Sequence, residues 1–174
     1  MRVFGFLIIL IVAMGFTTQN NSKYLLLNSK KFTVEGSTSI GNFTCDYEIQ
    51  TKDTLFLNKK SALLYKLPVK EFGCGNFMLN RDFRKTLKEK EYPEAAIVLS
   101  DVRPNGGNYI YTLHLNLAGK RKTFQNLSLV KEGKNYKGTL QLKFSDFDLT
   151  APEKLGGAIK IKEEIQLSIL LRAY

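Results

Sequence analysis

After residue 31 apolar and polar side chains alternate with a period of two through most of the chain, the pattern of strands that bury one face. Phe43, Cys45, Tyr47 and Ile49 share one parity, while Thr44, Asp46, Glu48 and Gln50 take the other. The same alternation runs through Tyr109, Tyr111, Leu113, Leu115 and Leu117, and through Tyr136, Leu140, Leu142 and Phe144. It returns from Ile159 to Leu171, where Glu163 interrupts the apolar row. Pro104-Asn105-Gly106-Gly107, Gly119-Lys120 and Glu132-Gly133-Lys134-Asn135 carry the residues that tight hairpin turns need, with Asn-Gly suited to positive φ. The spacing predicts strands near 31–39, 42–50, 62–72, 95–103, 108–118, 121–131, 135–145 and 158–172, with a short one at 54–57. Helical periodicity shows once, between Phe77 and Tyr92. There Leu79, Phe83 and Leu87 share a face, Asn80 can cap, Asp82 suits a first turn and Pro93 ends the run.

About eight strands joined largely by short turns describe an all-β domain. They favour an antiparallel up-and-down barrel over a sandwich, because sequence neighbours pair and closure removes the edges. The single short amphipathic helix would then cover one mouth or fill a corner.

The N-terminus stands apart. Met1-Arg2, the apolar run Val3 to Phe16 and the polar Thr17-Thr18-Gln19-Asn20 read as a secretory signal peptide over residues 1–17, with Ala13 and Gly15 placing cleavage after about residue 15. The run is shorter than the roughly 20 residues a spanning helix needs, and no Cys follows it to carry a lipoprotein anchor. Residues 18–30 then form a lead-in and residues 31–174 one domain. Export bears on Cys45 and Cys74. An even count in an oxidising compartment favours a disulfide over two buried thiols or a metal pair, the latter opposed by a single His and the lack of CxxC spacing.

Twenty-six Lys and Arg against 16 Asp and Glu give a net charge of +10. The tightest cluster, Lys120-Arg121-Lys122, falls at a hairpin turn without the interleaved aromatics that stack on bases, and export removes nucleic acid as a partner. A solvated turn, or a peripheral contact with an anionic membrane, remains. Catalysis has little to draw on. His114 shares the polar parity of Thr112 and Asn116, no GxSxG motif is present, and Asp146 with Asp148 is an ordinary turn spacing. The chain therefore reads as a binding protein rather than an enzyme, with no cofactor and no metal.

The apolar rows are either plain core or the wall of a ligand site, since an eight-stranded barrel is just wide enough for one slender guest. Apolar walls bearing a few Tyr hydroxyls suit a long hydrocarbon chain with a polar head, each buried methylene gaining about 0.8 kcal/mol. The candidate wall residues are Phe43 and Tyr47, then Tyr109, Tyr111, Leu113 and Leu115. Leu140, Leu142 and Phe144, with Leu167 and Ile169, complete it, and Phe72, Met78 and Phe83 lie by the helix at one end.

Particular segments add to this. They are Phe32-Thr33-Val34-Glu35-Gly36-Ser37-Thr38, Phe43-Thr44-Cys45, Leu67-Pro68-Val69 with Phe72-Gly73-Cys74, and Met78 through Asn80-Arg81-Asp82-Phe83. Leu87, Tyr92-Pro93, Leu115-Asn116-Leu117-Ala118-Gly119-Lys120, Ser145-Asp146-Phe147 and Gly156-Gly157-Ala158-Ile159-Lys160-Ile161 follow in order. Over about 31–172 this series resembles the YceI-like family of exported lipid-binding proteins, and within it a cysteine-containing branch. The resemblance implies a lipocalin-like barrel whose tunnel holds a polyisoprenoid or similar lipid, and a periplasmic or secreted location in a bacterium. The rival expectation is an envelope structural or stress-response protein whose barrel is filled by its own side chains.

Overall fold

A computed structural model describes residues 24–58, 60–154 and 158–174; the predicted signal peptide lies outside the described residues. The strands are β1 (Tyr24–Thr38), β2 (Gly41–Ile49), β3 (Asp53–Phe56), β4 (Ala62–Pro68), β5 (Glu94–Asn105), β6 (Asn108–Leu117), β7 (Lys120–Glu132), β8 (Asn135–Lys143), β9 (Glu153–Lys154) and β10 (Ile159–Ala173), with one helix, α1 (Phe77–Thr86). Each strand expected from the alternation is present. Most bounds fall within two residues of the expected ones; the larger differences are at the start of β1, at the end of β4 and at both ends of the helix, which stops at Thr86 rather than running to Pro93. β1 begins at Tyr24, so residues 24–30 of the expected lead-in are strand, paired to β3 through Leu25↔Leu55. β4 stops at Pro68, which has no N–H to extend a ladder, and a 3-10 turn follows at Val69–Glu71. The helix is capped by Asn76, whose side chain accepts from the Leu79 N–H. Asn80 lies inside the helix, and its Oδ1 instead accepts the Cys74 N–H at 2.6 Å. In the β5–β6 hairpin the positive φ angles fall on Gly106 and Gly107 (56° and 85°), while Asn105 and Asn108 pair as the last strand residues.

The sheet is antiparallel in the order β2-β1-β10-β8-β7-β6-β5-β4, with β3 added to β1 and β9 to β10. It curls strongly enough that its two ends meet. The Phe32 ring of β1 packs on Tyr65 of β4 with centroids 5.4 Å apart, although five strands lie between β1 and β4 in the sheet. Bulges produce much of this curvature. β5 and β7 each carry a register shift where they flank β6, and there Asp101 and Asn126 take left-handed φ of 52° and 56°. Asp and Asn accept that conformation more readily than other non-glycine residues.

Among the described residues no ladder joins β2 to β4, so the seam between them is closed by other means. Cys45 on β2 forms a disulfide with Cys74, 29 residues along the chain. Beside it Asp46 and Gly73 exchange two backbone hydrogen bonds of 2.9 Å. Tyr47 stacks against Phe72 at 5.6 Å, a short step further along each segment. At the other end of the seam stands a buried ammonium. Lys30 is fully buried and donates from Nζ to the Thr51 carbonyl (2.7 Å), to Thr51 Oγ1 (2.9 Å) and to the Asp53 carboxylate. Its Nζ also stands 5.5 Å from the centre of the Tyr65 ring. These contacts satisfy the backbone where β2 breaks and β3 resumes beside β1. Burial, and then Asp53, hold the Tyr65 phenol well above its ordinary pKa.

Two predictions follow from the seam. Replacing Cys45 and Cys74 by Ala should lower unfolding stability by about 3–4 kcal/mol on the chain-entropy account, read by urea denaturation; an unchanged midpoint would remove the bridge from the stability argument. Lys30→Ala should cost about 3 kcal/mol, because it empties a fully buried site and takes from Asp53 and the Thr51 carbonyl the ammonium they share. Lys30→Met combined with Asp53→Leu should recover most of that loss. A double variant as unstable as the single one would show that the ion pair is not the origin.

Candidate functional site

The interior divides into two levels. At the level of Lys30 it is filled by Phe32, Tyr65, Leu99, Tyr111, Leu113, Leu129, Tyr136, Ile169 and Leu171, all buried. Tyr111 reaches across to Gly138, where any Cβ would collide with its phenol oxygen, so the glycine is the space that the ring needs. Burial pushes the Tyr111 phenol up to about 12, and it stays neutral in the physiological range. Tyr109 leans on Tyr136 with centroids 5.6 Å apart.

One level toward α1, side chains of β1, β2, β4, β5, β6, β8 and β10 line an apolar cavity of about 80 Å³. Its walls are Val34, Phe43, Cys45, Leu67, Ala95, Ile97, Leu115, Leu117, Leu142, Phe144, Ile161, Ile165 and Leu167. Pro152 closes a corner, and Leu79, Asp82, Phe83, Thr86 and Leu87 form the roof with Val69 and Phe72. The apolar helix face expected from Leu79, Phe83 and Leu87 therefore points inward. The helix is held by the Phe72–Phe83 ring contact (5.3 Å), by Arg84 Nη2 donating to the Lys70 carbonyl (2.6 Å) and by the Asn80–Cys74 hydrogen bond. Phe43 also covers Gly36, its partner across the strands, where a Cβ would meet its ring.

Of the expected wall residues, Phe43, Phe72, Phe83, Leu115, Leu142, Phe144 and Leu167 line this cavity. Tyr111, Leu113 and Ile169 are buried in the filled level, and Tyr109 packs beside it. Leu140 is half-buried against the core, Tyr47 lies in the seam, and Met78 is 60% exposed on the outside of α1. Val34, Leu67, Ile97 and Ile161 join the wall without having been expected there, although they keep the period-two pattern; Pro152 reaches the cavity only through tertiary contacts.

The polar candidates settle on the outer surface. His114 is bound on both ring nitrogens, to Ser100 Oγ (3.2 Å) on β5 and Thr123 Oγ1 (2.9 Å) on β7. The two features that stand apart in the sequence, the basic turn and the aspartate pair, meet: Lys122 pairs with Asp146 at 2.9 Å and Lys120 with Asp148 at 2.5 Å. Hydrogen bonding from Lys122 holds the Asp146 carboxyl below its ordinary pKa, and Lys120 does the same for Asp148. Two of the three cations of that turn are thus engaged within the chain. Among the described residues no group of three His, Cys, Asp or Glu is placed to hold a metal ion.

No curated protein matches the chain. Solved structures do. Burkholderia cenocepacia BcnA superposes with a TM-score of 0.53 at 21% identity, covering 82% of this chain and 96% of that one. A polyisoprenoid binding domain from Saccharophagus degradans, implicated in plant cell wall breakdown, gives 0.52 at 12% identity, covering 87% and 99%. A Campylobacter jejuni YCEI protein gives 0.50 at 17% identity, covering 65% and 71%. At such identities the likeness is one of fold. The sequence profile of the YceI-like domain matches residues 17–173, nearly the whole chain, and the protein belongs to that family.

Proposed function

We propose that the protein is exported and holds one long apolar lipid, of polyisoprenoid type, in the cavity beneath α1, as a binding protein without catalytic activity. The observation that carries this reading is the cavity itself, enclosed by aliphatic and aromatic side chains from seven strands and roofed by a helix. A dry apolar space of this kind accepts hydrocarbon and refuses water, which finds too few polar partners in it. The family supports the reading, as does the polyisoprenoid binding named for the Saccharophagus degradans relative. The Cys45–Cys74 disulfide fits the oxidising compartment that export would reach.

Volume favours a second reading strongly enough to set the test. About 80 Å³ is roughly half the engineered apolar cavity that admits benzene, around 150 Å³, so it receives only a short stretch of chain as it stands. A long guest fits only if α1 is displaced. If it is not, the protein is an envelope component with a filled barrel.

Native mass spectrometry of the mature protein, followed by organic extraction, separates the two. The expected result is an adduct of defined lipid mass, released on unfolding. Ala95→Leu fills the cavity and should abolish the adduct while changing stability by less than about 2 kcal/mol. Leu142→Arg should abolish it by placing a charge in the wall, and added polyprenol should raise the melting temperature of the wild type only. A clean apo mass from the native host, with no thermal response to polyprenol, would overturn the lipid-binding reading.

A further inference from the structure

We propose that the outer face of α1 docks the protein onto an anionic lipid bilayer. Phe77, Arg81, Arg84 and Lys85 are spaced i, i+4, i+7 and i+8, one stripe of the helix directed away from the cavity, and Lys88 stands in the turn just beyond the helix end. Phe77 is 78% exposed and the adjacent Met78 is 60% exposed, so two large apolar side chains project at the start of the stripe. Arg81 is 60% exposed along its side chain, Lys85 is exposed with no ion pair among the described residues, and Lys88 is exposed with the Asp148 carboxylate within its field. The charges facing this surface are Arg81, Arg84, Lys85, Lys88 and Lys90 against Glu89 and Glu91, and Asp82 sits on the cavity side, 3.9 Å from Arg81. The local balance is therefore basic.

A bilayer is the occupant that this combination fits. Exposed apolar residues beside a row of cations are what an interfacial helix uses, the former entering the headgroup boundary and the latter meeting anionic headgroups. α1 has only ten residues and lies on such a surface rather than spanning it. Its position adds a second argument. The opposite face of the same helix roofs the apolar cavity, so a bilayer seated on α1 lies one helix diameter from that cavity. The basic turn at Lys120-Arg121-Lys122 is the weaker candidate, because Asp146 and Asp148 already engage two of its cations. This docking goes beyond the ligand reading, and the charge and exposure that carry it stand without a guest.

The test is co-sedimentation of the mature protein with vesicles of phosphatidylcholine alone and of phosphatidylcholine mixed with phosphatidylglycerol. Binding to the mixed vesicles is expected, weakening as salt rises, with little binding to the neutral ones. At roughly fivefold per cation, Arg81→Ala with Lys85→Ala should lower partitioning about 25-fold. Phe77→Ser with Met78→Ser should lower it as well, both pairs leaving the thermal melt and any lipid adduct unchanged. Lys131→Ala with Lys137→Ala removes the same charge from remote strands and should have far less effect. Equal binding to neutral vesicles, no binding to anionic ones, or an equal loss in the remote pair would overturn the proposal. So would a dimer that disappears in the Phe77/Met78 variant, which would give the face to a second copy. A protein that sediments but carries no lipid keeps the docking and loses the cavity reading.

Discussion

The seam between β2 and β4 is the constraint on which the rest of this fold depends. A sheet that curls back on itself gains little from curling unless its ends are held, because open edges leave unpaired backbone groups and a gap into the core. Here the ends are fastened by a disulfide, one pair of backbone hydrogen bonds, two aromatic contacts and a buried ammonium, spread over the height of the strands. The fastening nearest the helix does more than close the sheet. Cys74 leads directly into α1, its N–H is bound by Asn80 of the helix, and Cys45 itself faces the cavity. The same bond that closes the seam therefore sets where the roof of the cavity sits.

Much of this was legible in the chain. Alternation placed every main strand, and the face assignments in β6, β8 and β10 agree with the burial pattern. A period of two reports which side of a sheet a residue faces and carries no information about depth along the strand. Tyr111 and Leu115 have the same parity on β6, yet one fills the interior beside Gly138 and the other bounds the cavity. That distinction arises from the register of neighbouring strands and from bulges at Asp101 and Asn126, which only the folded sheet defines. The helix cap shows the same limit at short range. Asn80 suits a cap by composition, yet the helix begins four residues earlier at Asn76, and Asn80 accepts the Cys74 N–H instead.

Charge behaves in a parallel way. Along the chain, the net charge of +10 is densest at Lys120-Arg121-Lys122, and the aspartates at 146 and 148 stand as an isolated pair. The fold brings the β6–β7 turn beside the short turn after β8, and each feature neutralises part of the other. On α1 the excess is not cancelled in this way. Arg84 is drawn partly into the scaffold by the Lys70 carbonyl, but Arg81 and Lys85 remain exposed on the face turned away from the cavity.

The energetics of filling the cavity point to the helix as the part that yields. The Lys30 level is filled by buried side chains, and emptying it would expose a buried charge together with several aromatic rings. α1, by contrast, has no fully buried residue; Leu79 and Phe83 rest half-buried against the core, beside the Phe72–Phe83 ring contact and the side-chain hydrogen bonds made by Arg84 and Asn80. Elements packed so lightly open at the low end of the range of local stabilities. A guest that buries ten methylenes gains about 8 kcal/mol, of the order of what separating Leu79 and Phe83 from the core and breaking two hydrogen bonds would cost. Lifting the helix costs less than emptying the Lys30 level, and the bond from Cys74 to Cys45 keeps its base in place while its far end moves. The disulfide then limits how far the cavity can open as well as where it lies.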